Sequence, residues 1–389
     1  VRPRIQGRAG ALRHIVTNRT RRLAIAAIAP LALLGAPVTA QHAASTGDVE
    51  GRMVYQAACA NCHGADGRGA PVAQLGFDDP PLPDFTDCSF ASREPAQDWE
   101  FVVRYGGPVR AFSRRMPAFG KALTPEQVSA VVAYVRTFCG DRAWPRGELN
   151  LPRPLIAEKA FPEDEIVVTS AATTRRGARA FETTFIYEKR FGARNQYEVV
   201  IPLANRQTTD GWSGAQLGDV VLAVKRAVAH DGARGRILSV GSEVILPTGS
   251  RAAGVGSGTP ILEPFLLGAT TVGANGFVQF ATGVELPAST RKASREAFAT
   301  IGAGTTFLGP NAGRSWSPIV EVAAARELEG GADLEWDVVP QFQVSLSRRQ
   351  HILFNVGVRL PMTDRARRPR EILAYFLWDW FDGGLRDGW

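Results

Sequence analysis

Two of the four cysteines in this 389-residue sequence stand in the run VYQAACANCHGADGRGAP, residues 54–71. Cys59, Cys62 and His63 spell C-x-x-C-H, the spacing of covalent c-type haem attachment. The chemistry needs that order. Two thiols add to the two vinyl groups of a haem, and the adjoining histidine is then carried under the iron as its proximal ligand. A bare C-x-x-C pair would suit thiol–disulfide exchange and would not need His63. A structural zinc site needs further ligands, and no second C-x-x-C or histidine cluster lies nearby. One covalently attached c-type haem, with His63 on its iron, is the expected cofactor.

Around the motif, residues 51–140 resemble a small class I cytochrome c domain. GRMVYQAACANCHG is similar to that family's first helix running into the haem motif, with Tyr55 where an aromatic packs near the haem. RMPAFGKALTPEQVSAVVAYVRTF is similar to its second signature, and the resemblance makes Met116, followed by Pro117, the distal thioether ligand. Of the other two methionines, Met53 is too close to the attachment site to reach around a haem, and Met362 lies far along the chain. His63 and Met116 as the metal ligands leave no open iron position. A soft sulfur ligand and apolar burial raise the reduction potential, which suits outer-sphere electron transfer. No Ser-His-Asp arrangement, paired-carboxylate signature or nucleotide loop offers a competing catalytic site, so whether the chain is an enzyme stays open.

The elements that must position these residues are partly legible. Thr124 reads as a helix cap, Pro125 suits the first helical position, and Gln127 stands where a capping box needs it. Val128, Val131, Val132 and Val135 then form an apolar stripe at helical spacing. Cys88 and Cys139 either pair, tying the loop before Trp99 to the end of the closing helix, or remain two buried thiols.

The formal charge of +7 invites a nucleic-acid partner, but its distribution rejects one. Seven arginines precede Leu23, no Asp or Glu occurs before Asp48, and residues 48–389 carry 38 basic and 38 acidic side chains. The basic residues belong to a leader. Arg19, Arg21 and Arg22 precede the apolar run LAIAAIAPLALLGA, and VTA ends at Ala40 as a small-residue cleavage motif. Residues 1–40 are expected to be a signal peptide, with an uncleaved anchor as the alternative. Export puts the chain where disulfides persist.

After the expected cytochrome c domain, residues 48–140, comes a bridge, residues 141–165, rich in proline and charge. Its texture is that of a linker or an extended arm lying against a neighbour. Residues 166–389 form the last expected domain, and no helical repeat is visible there. Eleven strand-sized runs are separated by Gly, Asn, Asp and Pro, among them RAFETTFIYEKRF, GRILSVGSEVILPTG and HILFNVGVRLPM. DEIVVTSAAT supplies a twelfth. In DVVPQFQVSLS, Val339, Phe342, Val344 and Leu346 read as one apolar set, interrupted by Gln341, Gln343 and Ser345. Such long runs suit strands tilted across a membrane, with apolar positions toward lipid and polar ones toward a lumen. Short connections such as Gly192–Arg194 alternate with longer ones such as Ser250–Thr259, as two unlike rims require. The expected fold is an all-α cytochrome c domain followed by an all-β antiparallel transmembrane barrel of twelve strands, ten being the alternative. A soluble sandwich or β-helix is the competing architecture.

LGDVVLAVKRAV, GSEVILPTGS with GVGSGTPILEP, and NVGVRLPM before a final aromatic strand resemble a family of exported barrels described as transport proteins linked to phenol degradation. That resemblance implies a fold and no substrate. The whole arrangement is similar in outline to monohaem cytochrome–porin fusions that act as outer-membrane iron oxidases. Haem-mediated one-electron transfer at the outer membrane follows as the expected function, with the barrel as anchor or access route and the cytochrome domain in the periplasm. A periplasmic electron donor or acceptor and outer-membrane lipid are the expected partners. The alternatives are an outer-membrane channel for a small solute with an accessory cytochrome, and a soluble periplasmic cytochrome with a β-rich binding domain.

Overall fold

Thr46–Val54 forms α1, and the chain continues through one π turn, Tyr55–Cys59, into α2, Ala60–His63. This computed structural model describes residues 46–76, 82–175, 178–208, 211–309 and 313–389; the expected signal peptide lies outside them. Four further α-helices complete the N-terminal unit: α3, Val72–Leu75; α4, Cys88–Ala91; α5, Ala96–Tyr105; and α6, Pro125–Val135. The capping box at α6 forms as the sequence implies. Gln127 N–H donates to Thr124 Oγ1 at 3.3 Å, and Thr124 N–H donates to Gln127 Oε1 at 3.1 Å. All four valines of the stripe are buried. Helix α1 crosses α6 so closely that a Cβ on Gly51 would stand 2.2 Å from the Ala130 carbonyl oxygen, which only glycine permits.

The C-terminal unit is a closed sheet of twelve long strands. They are β1, Glu165–Arg175; β2, Ala178–Phe191; β3, Asn195–Thr208; β4, Val221–Asp231; β5, Arg236–Ile245; and β6, Ile261–Val272. The second half comprises β7, Gly276–Pro287; β8, Glu296–Thr305; β9, Ser315–Glu327; β10, Glu335–Ser345; β11, Ile352–Pro361; and β12, Arg370–Asp379. Each pairs antiparallel with its sequence neighbours, and β1 closes on β12 from Glu165↔Asp379 to Thr174↔Arg370. Closure leaves no long strand with a free edge. Most connections sort by rim, the nine-residue link from β8 to β9 being an exception. Residues 192–194, 232–235 and 273–275 link strands at one end, and residues 246–260, 288–295 and 362–369 at the other.

Burial on the strands is inverted relative to a water-soluble barrel. Along β4, Val224 is 56% exposed while its neighbour Lys225 is 3% exposed. Leu222, Ile301, Val320, Phe342 and Ile372 likewise face outward, while Glu188, Glu198, Glu321, Gln341 and Asn355 are buried within. An apolar exterior around a polar interior is the pattern of a barrel in lipid. Near the short-turn rim, Tyr187 stacks on Trp380 with centroids 6.4 Å apart and meets Tyr197 at 6.1 Å, as in an aromatic girdle. One expected face is corrected: Val339 is fully buried and shares the inward face with Gln341 and Gln343. The two-residue period of a strand puts it there, two positions from Gln341.

The bridge is an arm, and the neighbour it lies against is the inner wall of the barrel. From Leu149 it enters at the short-turn rim, reaches the middle of the lumen near Leu155–Ala157, and returns to the same rim at β1. Glu321 of β9 accepts from the amides of Leu155, Ile156 and Ala157 at 3.1, 3.0 and 2.8 Å. Gln279 of β7 donates to Pro152 O at 2.7 Å, Tyr375 of β12 to Arg153 O at 2.7 Å, and Ser239 of β5 to Ala160 O at 2.6 Å. Leu155 packs where a Cβ on Gly357 of β11 would come within 2.7 Å. Leu149, Ala157, Ala160 and Phe161 join inward residues such as Leu267, Ala281 and Phe298 in one buried apolar cluster.

Candidate haem site

The single helical turn Cys59–His63 brings both thiols and the imidazole of the motif together. The preceding π turn is anchored by Tyr55, which is fully buried against Tyr134 and Phe138 at 5.4 and 5.3 Å. Its hydroxyl donates to the Gly64 carbonyl at 2.7 Å, just behind the motif. Tyr55 therefore holds the turn from the side, a role consistent with the packing aromatic expected there. Burial pushes the Cys59 thiol up to about 11, with Cys62 adding to the rise. Burial also lowers the His63 imidazole below its ordinary value, which favours the neutral form, the one in which a ring nitrogen can ligate a metal.

The His63 ring lies 5.0 Å from Phe85, and Phe85 lies 5.5 Å from Trp99 on α5. With Val131 and Val135 of α6, Phe85 and Trp99 belong to one apolar cluster beside the motif. His63 Nδ1 is buried there without a hydrogen-bond partner. Two thiols, a neutral imidazole and apolar aromatic walls fit a haem. Cys59 and Cys62 would hold it through thioethers and His63 would supply one iron ligand. Phe85 and Trp99 were not singled out by motif reading, since nothing in their local spacing sets them apart from ordinary core aromatics.

Met116 comes from a separate loop after a 3-10 turn at Gly107–Arg110. Its carbonyl accepts from Gly107 N–H at 3.0 Å, and a Cβ on Gly107 would meet the Met116 Cβ at 3.2 Å. The side chain is half-buried. The described contacts do not join it directly to His63. Cys88 and Cys139, left open by the sequence, form a disulfide with Cα atoms 5.1 Å apart, which ties the start of α4 to the chain just after α6.

The helical unit is bolted to the short-turn rim. Arg93 pairs with Asp164 and lies 3.6 Å over the Phe381 ring. Arg349 Nη2 donates to Ala111 O at 3.0 Å, and Arg194 Nε donates to Ala143 O at 2.9 Å. Between the units is a cavity of about 630 Å³ lined by Glu94, Asp98, Asp379 and Asp382, among others. Burial pushes the Glu94 carboxyl well above the ordinary carboxylate range, and Asp382, Asp98 and Asp379 add to the rise.

Residues 48–135 match the family described as cytochrome C oxidase, cbb3-type, subunit III. The chain thus joins a helical domain similar to that family to a closed antiparallel barrel of twelve long strands. Among solved structures, the KdgM porin in complex with disordered oligogalacturonate is 11% identical, covering 55% of this chain and 98% of its own, with a TM-score of 0.38. An outer membrane channel from Pseudomonas putida F1 is 11% identical, covering 56% of this chain and 96% of its own, with a TM-score of 0.40. The NanC porin is 10% identical, covering 55% and 98%, with a TM-score of 0.39. No curated protein matches the sequence.

Proposed function

We propose that this protein passes single electrons at the outer membrane through one covalently attached haem, and that the barrel anchors the haem domain at its periplasmic mouth. The observation that carries the reading is the C-x-x-C-H turn, set beside an apolar aromatic cluster on a domain fixed to one rim of a barrel with an apolar exterior. A bound haem supplies the one-electron iron couple. Cys59 and Cys62 would fix its position, His63 and Met116 would supply ligands to its iron, and Phe85, Trp99 and the α6 valines would shield it from water. Low polarity and a sulfur ligand favour Fe(II) and raise the potential.

The rim supports the orientation, because bacterial outer-membrane barrels keep their short turns in the periplasm and their longer loops outside. The inverted burial of the strands supports lipid as the surrounding phase. The likeness of LGDVVLAVKRAV and NVGVRLPM to transport barrels linked to phenol degradation supports the same architecture and assigns no solute. A periplasmic redox protein is the proposed electron partner.

Fractionation of the native host tests the proposal. A haem-staining band of this chain, retained in outer membranes after an alkaline-carbonate wash and reversibly reduced by one electron per chain, is the expected result. Release of that band with soluble periplasmic proteins, or absence of haem from it, would overturn the reading.

A further inference from the structure

We infer that the bridge from Leu149 to Asp164 is a lumenal plug, and that the barrel as folded is not a diffusion pore. An arm that merely spaced two domains would leave its backbone to water and its charges unpaired. This arm does neither. Its amides at 155–157 converge on one carboxylate, Glu321, which is itself fully buried and accepts from Gln341 Nε2 at 2.6 Å. Its carbonyls are claimed by donors from four strands: β4 through Lys225 at 2.6 Å, its neighbour β5 through Ser239 at 2.6 Å, β7 through Gln279 at 2.7 Å and β12 through Tyr375 at 2.7 Å. Gln196 of β3 accepts from Glu163 N–H at 2.7 Å. Donors and acceptors on all sides of the lumen are thus aimed at one segment, which is how buried backbone groups must be satisfied.

Charge complementarity runs the same way. Arg153 of the arm pairs with Glu188 of β2 at 2.9 Å and also with Glu165, while Lys225 of β4 pairs with Glu158 of the arm at 3.0 Å. Arg153, Glu165, Glu188 and Lys225 are almost completely buried, and the Glu158 side chain is 9% exposed. Withdrawing the arm would break both the Arg153–Glu188 and the Lys225–Glu158 pairs, each closed across the lumen between the arm and a different strand. Phe161 and Leu149 add an apolar contact with the β4–β9 side of the wall. The arm therefore belongs to the resting barrel.

Single-channel recording on the haem-loaded, full-length protein in planar bilayers tests the plug. The wild type is expected to be silent. The triple variant Arg153→Ala, Phe161→Ala, Glu321→Ala is expected to raise mean conductance by about tenfold or more. An open wild-type channel with conductance equal to that of the variant would overturn the inference. Should the variant be silent or fail to assemble, hydrogen exchange on the wild type decides. Amides of Leu155, Ile156 and Ala157 slowed about a hundredfold or more against an unstructured peptide support the plug, and free exchange there refutes it. Neither readout involves electron transfer, so failure here is distinguishable from failure of the redox reading.

Discussion

His63 and Met116 differ in how firmly the protein fixes them. His63 is carried on a helical turn braced by Tyr55 and faced by Phe85, so its ring is positioned by packing alone. Met116, the proposed second iron ligand, depends on a loop whose backbone is held at Gly107. Met116→Ala is therefore expected to keep the haem attached and to lower its reduction potential by on the order of 0.1 V, within the ~0.8 V that axial ligands command. It should also let added imidazole bind the iron. Spectroelectrochemistry reads both effects, and an unchanged potential would remove Met116 from the iron. The motif residues were legible because covalent attachment demands an unvarying local spacing. Phe85 and Trp99 were not, because their role comes from approach across the fold, which leaves no mark on their immediate neighbours in sequence.

Among the elements, α6 was the easiest to read. Its cap, its first-turn proline and its valine stripe all point to one answer, and local agreement of that kind is what makes a segment specify its own structure. The π turn at Tyr55–Cys59 has no such signal. The disulfide joins α4 to the end of α6 across 51 residues of sequence, and Trp99 lies within the closed loop. Loop-closure entropy assigns such a bridge about 4 kcal/mol. The double variant Cys88→Ser, Cys139→Ser should lose a large part of that in denaturant melting of the haem-domain absorbance. A loss under about 1 kcal/mol would mean that the reduced, unfolded chain is already constrained there. The strands were legible as runs, and their count of twelve followed. Their facing was less so: Val339 is apolar like Phe342 yet points inward, because in the lumen the apolar arm packs against some walls and polar groups against others.

For the whole molecule, the seam between the helical unit and the barrel is the feature most sensitive to pH. Glu94, from the loop before α5, shares its cavity with Asp98, Asp379 and Asp382, while Arg110 pairs with Asp98. Arg93 lies against Phe381, and Arg136 donates to the Glu94 carbonyl at 2.9 Å. Burial, then the neighbouring aspartates, raises the Glu94 carboxyl far above its ordinary value near 4.5. The folded protein then holds a proton that the unfolded chain releases. Its stabilising effect is complete below the ordinary value and is lost as pH climbs through the raised one. Chemical melting of the helical unit at several pH values should show stability falling with rising pH over that window. Glu94→Gln should flatten the slope, and identical slopes would place the titration elsewhere. Nothing in the sequence marks this seam, since its carboxylates are separated by more than 280 residues and meet only when β12 ends beside α5.

The arm in the lumen also bears on how such a molecule is put together. Both of its ends lie at one mouth, so no chain terminus has to be drawn through the ring of strands, and the helical unit never has to pass through an opening smaller than itself. The helical unit can fold and take up its prosthetic group while β1 and β12 are still apart. The segment between can drop into place before or after the wall is sealed. Topology leaves the order of these events free, and a cell could run the two maturation lines, haem ligation and barrel insertion, without either waiting for the other.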